Sequence, residues 1–141
     1  MNADQQAIIA KTVAYCWAID SRRFEDLREV FLPDGHANYG GVEFEGVDAV
    51  IEKCSSVLSP LDVSQHMVST HEVAVEGDFA TSRCYFHAQH VRRSAEGGPN
   101  FIVAGRYVDD WERTAGGWRI RRRLLDTLWT DGNPKVVRAG G

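Results

Sequence analysis

Hydrophobic and polar residues alternate in two different ways along the chain, and the first half follows a helical period. Apolar side chains between Ala7 and Ile19 recur three and four positions apart, which predicts a helix with one buried face. The same spacing in "DSRRFEDLREVF" predicts a short second helix that ends at "LPDG", and "GVDAVIEKCSSVL" predicts a third. Before this third helix, "HANYGGVEFEG" has the pattern of a short hairpin.

The second half of the chain has the period of β-strands. From "SQHMVSTHEVAVEGD" onward the period is two, and turns at "EGD", "SAEGGPN" and "TAGG" separate four strands. Helices followed by strands predict an α+β fold, with the N-terminal helices packed on one face of a strongly curved, mainly antiparallel sheet. A length of 141 residues with 43% hydrophobic content fits one domain over residues 1–141. The segment from about residue 130 onward is predicted to be a loose tail.

Charge and cysteine content narrow the class of protein. The net charge is −4 with both signs interspersed, which argues against nucleic acid or a membrane surface as a partner. No apolar run approaches the roughly 20 residues of a membrane span, and "MNADQQ" lacks a signal-peptide pattern, so a cytoplasmic location is expected. Cys16, Cys54 and Cys84 are odd in number and lack C-x-x-C spacing, which predicts buried free thiols.

Polar residues stand in the strand rows that should face the core. The row through Cys84 and Phe86 ends in His90, the row through Val103 ends in Tyr107, and the row through Ile120 includes Arg122. A buried polar side chain needs a hydrogen-bond partner, so a core built only for stability has no use for these residues. The rows therefore indicate a cavity lined by polar groups. The alternative is that Tyr107 is an ordinary core residue and Arg122 belongs to the solvated run "RIRRR".

Asp20 is placed unusually, at the end of the apolar helical face in "YCWAIDSRRF". An aspartate there can end a helix by bonding nearby backbone groups, and His66 in "SQHMVS" can be a core histidine with a satisfied partner. Both residues can also belong to a catalytic site, and the residues alone leave this open. The other three histidines, His36, His71 and His87, are assigned to the surface or to loops.

A metal site is not favoured by the spacing of the histidines. His66 and His71 lie five positions apart on one strand, and His87 and His90 lie three apart on another. Odd separations send the two members of each pair to opposite faces, so neither pair can chelate an ion. A site built from Asp20, His66 and His90 stays open, since two histidines and a carboxylate suit iron, and metal analysis would decide it.

Several segments together resemble one known family over nearly the whole chain. These are "VFLPDG", "GVDAVIEK", "QH" at the start of a strand, and the hairpin "GRYVDDWERTAGGWRI". The chain resembles the SnoaL-like branch of the nuclear-transport-factor-2-like (NTF2-like) superfamily, with the scytalone dehydratase and lindane dehydrochlorinase group as the most similar members. The resemblance implies a conical α+β barrel around a deep pocket. It also implies cofactor-free acid–base chemistry on small apolar ketones, polyketides or steroids.

The resemblance also assigns roles to individual residues. It places the catalytic aspartate at Asp20 and the catalytic histidine at His66, and it implies substrate-binding roles for His90, Tyr39 and Tyr15. Tyr107 and Arg122 join the substrate-binding set because their strand rows face inward. The chain departs from scytalone dehydratase at Ile19, Gly105 and Tyr107, which stand where that enzyme has tyrosine, serine and asparagine. A different substrate is therefore expected.

The expected reaction is elimination without a metal or organic cofactor. A free imidazole has a pKa of about 6.5, and a carboxylate on one ring nitrogen leaves the other nitrogen available as a base. His66 would remove a proton next to a carbonyl, Asp20 would orient it, and Tyr15, Tyr39 or His90 would hold the enolate while a hydroxyl or halide leaves. The alternatives are a polyketide cyclase or ketosteroid-isomerase-like enzyme, and a non-catalytic ligand-binding or subunit protein.

Apolar residues on outward strand faces predict self-association. Tyr85 and Trp111 are expected to be exposed together on the sheet, where they would form a patch that favours a homo-oligomer. Relatives of this shape are commonly trimers or dimers, and a homotrimer is favoured here over a dimer.

Overall fold

The structure is a computed structural model that describes residues 1 to 138 of the 141-residue chain. Two α-helices, α1 (Ala3–Asp20) and α2 (Val47–Leu58), and a 3-10 helix at Phe24–Glu29 occupy the first half of the chain. The six strands are β1 (Phe31–Tyr39), β2 (Val42–Glu45), β3 (Val63–Glu76), β4 (Phe79–Val91), β5 (Asn100–Thr114) and β6 (Gly117–Gly132). The predicted α+β class, hairpin and four later strands are confirmed. Within the described residues, no helix is both long and apolar enough to cross a membrane.

Helix α1 begins at a capping box and ends at Asp20. The Asn2 side chain accepts a hydrogen bond from the Gln5 backbone N–H at 2.8 Å, and the Gln5 side chain accepts one from the Asn2 backbone N–H at 3.1 Å. The buried face of the helix includes Ile8, Cys16 and Ile19. Because α1 packs against β3, its last residue arrives beside the start of that strand.

The strands form one mixed sheet in the order β2-β1-β6-β5-β4-β3. Strand β1 runs parallel to β6 and all other neighbours are antiparallel, so the predicted mainly antiparallel sheet is confirmed. The sheet stays open within the described residues, because β2 and β3 form its two edges and do not pair. The register between β5 and β6 shifts at a bulge between Ala104 and Gly105. A Cβ atom on residue 105 would collide with the Asp126 carbonyl oxygen. Glycine is thus required where the two strands approach most closely.

A second bulge in β6 changes which arginine faces the core. Trp111 pairs with Ile120 and Asp110 pairs with Arg122, so Arg121 is an extra residue that reverses the alternation of faces. Ile120 is buried, and the next buried residue along the strand is Arg123 rather than Arg122. The prediction that Arg122 faces the pocket is therefore wrong. Its guanidinium lies near the surface and donates to Glu43 at 2.9 Å.

Of the two residues predicted on the outer face of the sheet, only one is exposed. Trp111 is only 1% exposed, and its indole N–H donates to the Ser82 hydroxyl at 2.8 Å, so its predicted exposure is wrong. Tyr85 is exposed as predicted. Met67 and Trp129 are also about half exposed and share the outer face, since the ladder joins Met67 to Trp129 through His87 and Ala104.

The segment after residue 130 is ordered as far as it is described. Strand β6 continues to Gly132, and a 3-10 helix follows at Pro134–Val137 with Val136 fully buried. The Arg92 side chain donates to the Val136 carbonyl oxygen at 3.0 Å. The expectation of a loose tail from about residue 130 is thus wrong through residue 138, and residues 139–141 lie outside the described part. The predicted burial of the three free cysteines is confirmed.

Candidate active site

Asp20 and His66 meet where α1 ends beside β3. The Asp20 Oδ1 atom accepts hydrogen bonds from His66 Nδ1 at 2.7 Å and from the Ser64 hydroxyl at 2.8 Å. Its Oδ2 atom accepts one from the His66 backbone N–H at 2.6 Å. Every one of these donors belongs to β3 rather than to the end of α1, so the helix-end interpretation of Asp20 is wrong.

Ser64 and Arg22 support the carboxylate from the other side. The Arg22 guanidinium donates to the Ser64 hydroxyl at 2.8 Å and to the Ile19 carbonyl oxygen at 2.9 Å. Arg22 adopts a left-handed backbone conformation with φ of 62° just after the helix, which is uncommon for a residue other than glycine. Ser64 lies two positions before His66 on the same strand face, and this spacing is the signal by which the sequence could have revealed it.

The protonation of the pair follows from its hydrogen bonds. Burial disfavours the charged form of Asp20, but hydrogen bonds from His66 and Ser64 outweigh burial and lower the pKa of the carboxyl group below its ordinary value. A carboxylate only accepts, so His66 Nδ1 carries a proton and donates it to Asp20. In the neutral ring the lone pair then lies on Nε2, for which residues 1–138 supply no hydrogen-bond partner. The His66 ring lines a cavity.

The cavity has a volume of about 340 Å³ and lies between the concave face of the sheet, α1 and α2. Tyr15, Tyr39, His90 and Tyr107 line it together with His66, so five of the predicted site residues meet in one place. Its apolar walls include Ile19, Val57, Leu58, Phe86, Ala88 and Val103. Such a lining suits a small hydrophobic ligand with a few polar groups.

His90 is a neutral hydrogen-bond acceptor in this cavity. Its ring lies 5.7 Å from that of His66, and its Nδ1 lies 3.2 Å from the Phe101 carbonyl oxygen. Because a carbonyl only accepts, Nδ1 carries the proton and Nε2 carries a lone pair. Burial, together with the neighbouring His66, lowers the pKa of His90 to about 4. In this tautomer His90 cannot donate to an enolate, so that part of the expected role passes to the tyrosines.

The hydroxyl groups of Tyr15 and Tyr39 form a pair of donors. Their oxygens lie 2.8 Å apart, and the Cys54 thiol lies 3.8 Å from the Tyr15 oxygen. Burial raises the pKa of both phenols well above its ordinary value, so both stay protonated at neutral pH. One of the two protons lies between the hydroxyls, and the other can be donated either to the Cys54 sulfur or to a ligand in the cavity.

A buried ion pair holds the tyrosine rings, and sequence reasoning missed it because of the β6 bulge. The Arg123 guanidinium binds both carboxylate oxygens of Asp109 at 2.8 Å. It also lies 4.3 Å from the Tyr15 ring centroid and 3.9 Å from that of Tyr107. Tyr107 in turn stacks on Phe86, with centroids 4.5 Å apart. These cation–π and stacking contacts restrict the positions that both rings can adopt.

The remaining histidines lie away from the cavity. His36 contacts Glu43 at 3.1 Å, His71 lies 2.8 Å from the Thr12 hydroxyl, and His87 packs against Trp129 on the outer face. The part of the chain that the structure describes contains no group of three His, Cys, Asp or Glu side chains arranged to hold a metal. A second depression of about 440 Å³, near Phe79, is lined by Glu76, Asp110 and Arg121 but by no histidine, so His66 and His90 belong to the 340 Å³ cavity.

His90 should make the stability of the fold depend on pH. Its pKa is about 4 in the folded protein and about 6.5 in the unfolded chain, so the unfolded chain binds more protons between these values. The contribution of neutral His90 to the free energy of unfolding is therefore complete above pH 6.5, and it is lost as the pH falls toward 4. We expect a loss on the order of 2 kcal/mol in the free energy of unfolding between pH 7 and pH 4.5.

Urea unfolding at several pH values checks this expectation, with His90→Gln and the surface control His36→Gln. The His90→Gln variant should lose much of the slope, whereas the control should keep it. Asp20 does not interfere, because its lowered pKa places its own loss of stability below about pH 3.9. An unchanged slope in His90→Gln would show that His90 is not held neutral by burial.

A curved six-stranded sheet with two α-helices over a cavity on its concave face has the NTF2-like fold. Residues 2–124 match the SnoaL-like domain family, and the chain belongs to that family. An uncharacterized protein of Mycobacterium tuberculosis, Rv2910c, is 37% identical over 127 residues, which cover 86% of this chain and 84% of the relative.

Solved structures share this fold over most of their length. A candidate aromatic ring hydroxylase from Novosphingobium aromaticivorans has a TM-score of 0.83 at 26% identity, covering 96% of both chains. A candidate scytalone dehydratase from the same organism has a TM-score of 0.82 at 26% identity, covering 95% of this chain and 89% of that one. The hexachlorocyclohexane dehydrochlorinase LinA Type2 has a TM-score of 0.76 at 17% identity, covering 92% and 86%. The last of these is a likeness of fold alone.

Proposed function

We propose that the protein is a cofactor-independent lyase that eliminates water or halide from a small hydrophobic cyclic, polyketide-like or steroid-like carbonyl compound. The observation that carries the proposal is the Asp20–His66 hydrogen bond of 2.7 Å, which leaves the Nε2 lone pair of His66 on the cavity side. A base that is already oriented loses little entropy when it takes a proton from a bound ligand.

The reaction begins at a carbon next to the carbonyl group. His66 Nε2 takes the proton, the C–H electrons pass into the carbonyl to form an enolate, and the ionised Asp20 stabilises the imidazolium. The enolate then re-forms the carbonyl and expels the β-hydroxyl, which accepts the proton from His66 and leaves as water. A carbon–carbon double bond replaces the lost C–H and C–O bonds, so atoms and charges balance.

The tyrosine pair supplies the stabilisation that the enolate needs. Tyr15 and Tyr39 are protonated donors 2.8 Å apart, and one of their protons is available to the enolate oxygen. His90 accepts a hydrogen bond through Nε2, which suits a hydroxyl group on the substrate. Arg123 keeps the Tyr15 and Tyr107 rings in place beneath the substrate. The names of the candidate scytalone dehydratase and the dehydrochlorinase are consistent with elimination.

An assay under anaerobic conditions tests this proposal against its alternatives. A panel of cyclic β-hydroxy ketones is incubated with the protein in D₂O, and enone formation is followed by ultraviolet absorbance while exchange at the α-carbon is followed by NMR. Elimination gives the enone without oxygen or a reductant, both of which an oxidative hydroxylation would require. Exchange without an enone would instead identify an isomerase-like or cyclase-like proton shuttle. Binding without either signal would identify a non-catalytic ligand-binding protein.

We also propose that the chain assembles as a homotrimer through the outer face of its sheet. Met67, Tyr85 and Trp129 are each about half exposed there, and an apolar group of this kind favours association. Trp129→Lys should shift the mass measured by light scattering toward the monomer at micromolar concentration. Trp17→Lys is the control, because Trp17 is exposed on α1 instead. A monomeric wild-type protein would contradict the proposal.

A further inference from the structure

Lys53 is the one side chain with a formal positive charge among those that line the Asp20–His66 cavity within the described residues. It belongs to α2 and immediately precedes Cys54, which also lines the cavity. The other polar lining groups are imidazoles, phenols and a thiol, and no Asp or Glu side chain is among them. The lining of the cavity thus includes a cation but no carboxylate, and the ionised Asp20 lies outside the lining, where it is already bound by His66 and Ser64.

The ammonium of Lys53 lacks a carboxylate partner among residues 1–138. Its Nζ lies 5.5 Å from the Phe44 ring centroid, a cation–π contact at the edge of the cavity. The carboxylate of Glu43, which precedes Phe44 in β2, accepts hydrogen bonds from His36, Asn38 and Arg122. Lys53 is thus free to give its charge to a group that arrives from outside, and its flexible stem lets the ammonium reach that group.

The position of Lys53 sets the shape of the ligand that it can bind. The His66 and His90 rings are buried inside the cavity, whereas Lys53 is partly exposed and Gly40, which also lines the cavity, is exposed. Lys53 therefore stands at the mouth and the imidazoles stand deeper. A ligand that reaches both has an apolar, ring-like body inside and an anionic group at the mouth.

We propose that the substrate of this site is an anionic hydrophobic molecule, with a carboxylate or an equivalent anion that binds Lys53 while the reacting carbons lie against His66. The inference rests on the proposed function for the site, and it adds the charge class of the substrate. Hydrogen bonds to charged groups contribute more than neutral ones, and the partial exposure of Lys53 places this one at the lower end of that range. A carboxylate should therefore bind on the order of tenfold more tightly than its neutral amide.

Matched ligand pairs test the proposal by binding alone. Benzoate, 2-naphthoate and 2-anthroate are compared with their primary amides by isothermal titration calorimetry, using wild type, Lys53→Gln, Lys53→Arg and the control Lys11→Gln. Lys11 lies on α1 and donates to the Glu29 carbonyl oxygen, so its substitution removes the same charge away from the cavity. We expect the preference for carboxylate to disappear in Lys53→Gln, to persist in Lys53→Arg and Lys11→Gln, and to weaken with added salt in wild type.

The same titrations in a His66→Ala background separate this inference from the proposed lyase activity. A carboxylate preference that depends on Lys53 and survives in His66→Ala supports the inference whether or not turnover is ever found. Equal affinity of wild type for acid and amide, or an unchanged preference in Lys53→Gln, overturns it. Failure of every carboxylate to bind at millimolar concentration also overturns it, and none of these results depends on a chemical step.

Discussion

The His66→Ala variant should lose nearly all turnover while it keeps its fold. The substitution removes the Nε2 lone pair that takes the substrate proton, and general-base catalysis typically contributes about 10² to 10⁴-fold in rate. Asp20 keeps two of its three hydrogen bonds, from the His66 backbone N–H and the Ser64 hydroxyl, so the carboxylate is not stranded. Steady-state kinetics with a substrate from the β-hydroxy ketone panel measures the loss, which should appear in kcat more than in KM.

Two further variants distinguish the loss of the base from a loss of stability. His66→Gln retains a side-chain N–H that can donate to Asp20, but an amide is not a base at neutral pH, so it should be as inactive as His66→Ala and more stable. His36→Ala is the control, since His36 lies outside the cavity beside Glu43. Near-normal turnover in either His66 variant would rule out the elimination mechanism proposed above.

The Asp20→Asn variant should lower turnover by orders of magnitude for a different reason. An amide of the same shape has no charge to stabilise the imidazolium, and its N–H₂ group can face Nδ1, which moves the ring proton to Nε2 and removes the base. We expect the pH–rate profile to change, because the carboxylate that binds His66 Nδ1 is gone. The rate profile is measured from pH 5 to pH 9, with the surface variant Asp26→Asn as the control.

The double variant Asp20→Asn with His66→Ala distinguishes an orienting role from an independent one. If Asp20 acts only through His66, the double variant should be little worse than His66→Ala alone, because no ring is left to orient. Losses that multiply would mean that Asp20 contacts the substrate by a separate route. An unchanged pH–rate profile in the single Asp20→Asn variant would speak against the proposed tautomer.

The sequence by itself determined most of the elements and the two principal polar residues, although β1 begins at Phe31 and includes the "LPDG" that was predicted to end a helix. The helical spacing of Ile8, Cys16 and Ile19 and the twofold period of the later strands specify which residues face inward, because each period follows from local backbone geometry. The positions of Asp20 and His66 could be singled out because a polar residue on an apolar face is visible without a structure. Resemblance to the SnoaL-like family then assigned their roles, and the family is confirmed.

Only the tertiary structure decided which residues complete the site. Alternation predicts Arg122 as the inward arginine. Because Arg121 is an extra residue in β6, the residues after it exchange faces, and Arg123 is buried instead. Bulges of this kind depend on how neighbouring strands register, which no local period records. The same holds for the tautomer of His90, which a carbonyl of β5 selects, and for Lys53, whose lack of a carboxylate partner is a property of the assembled cavity.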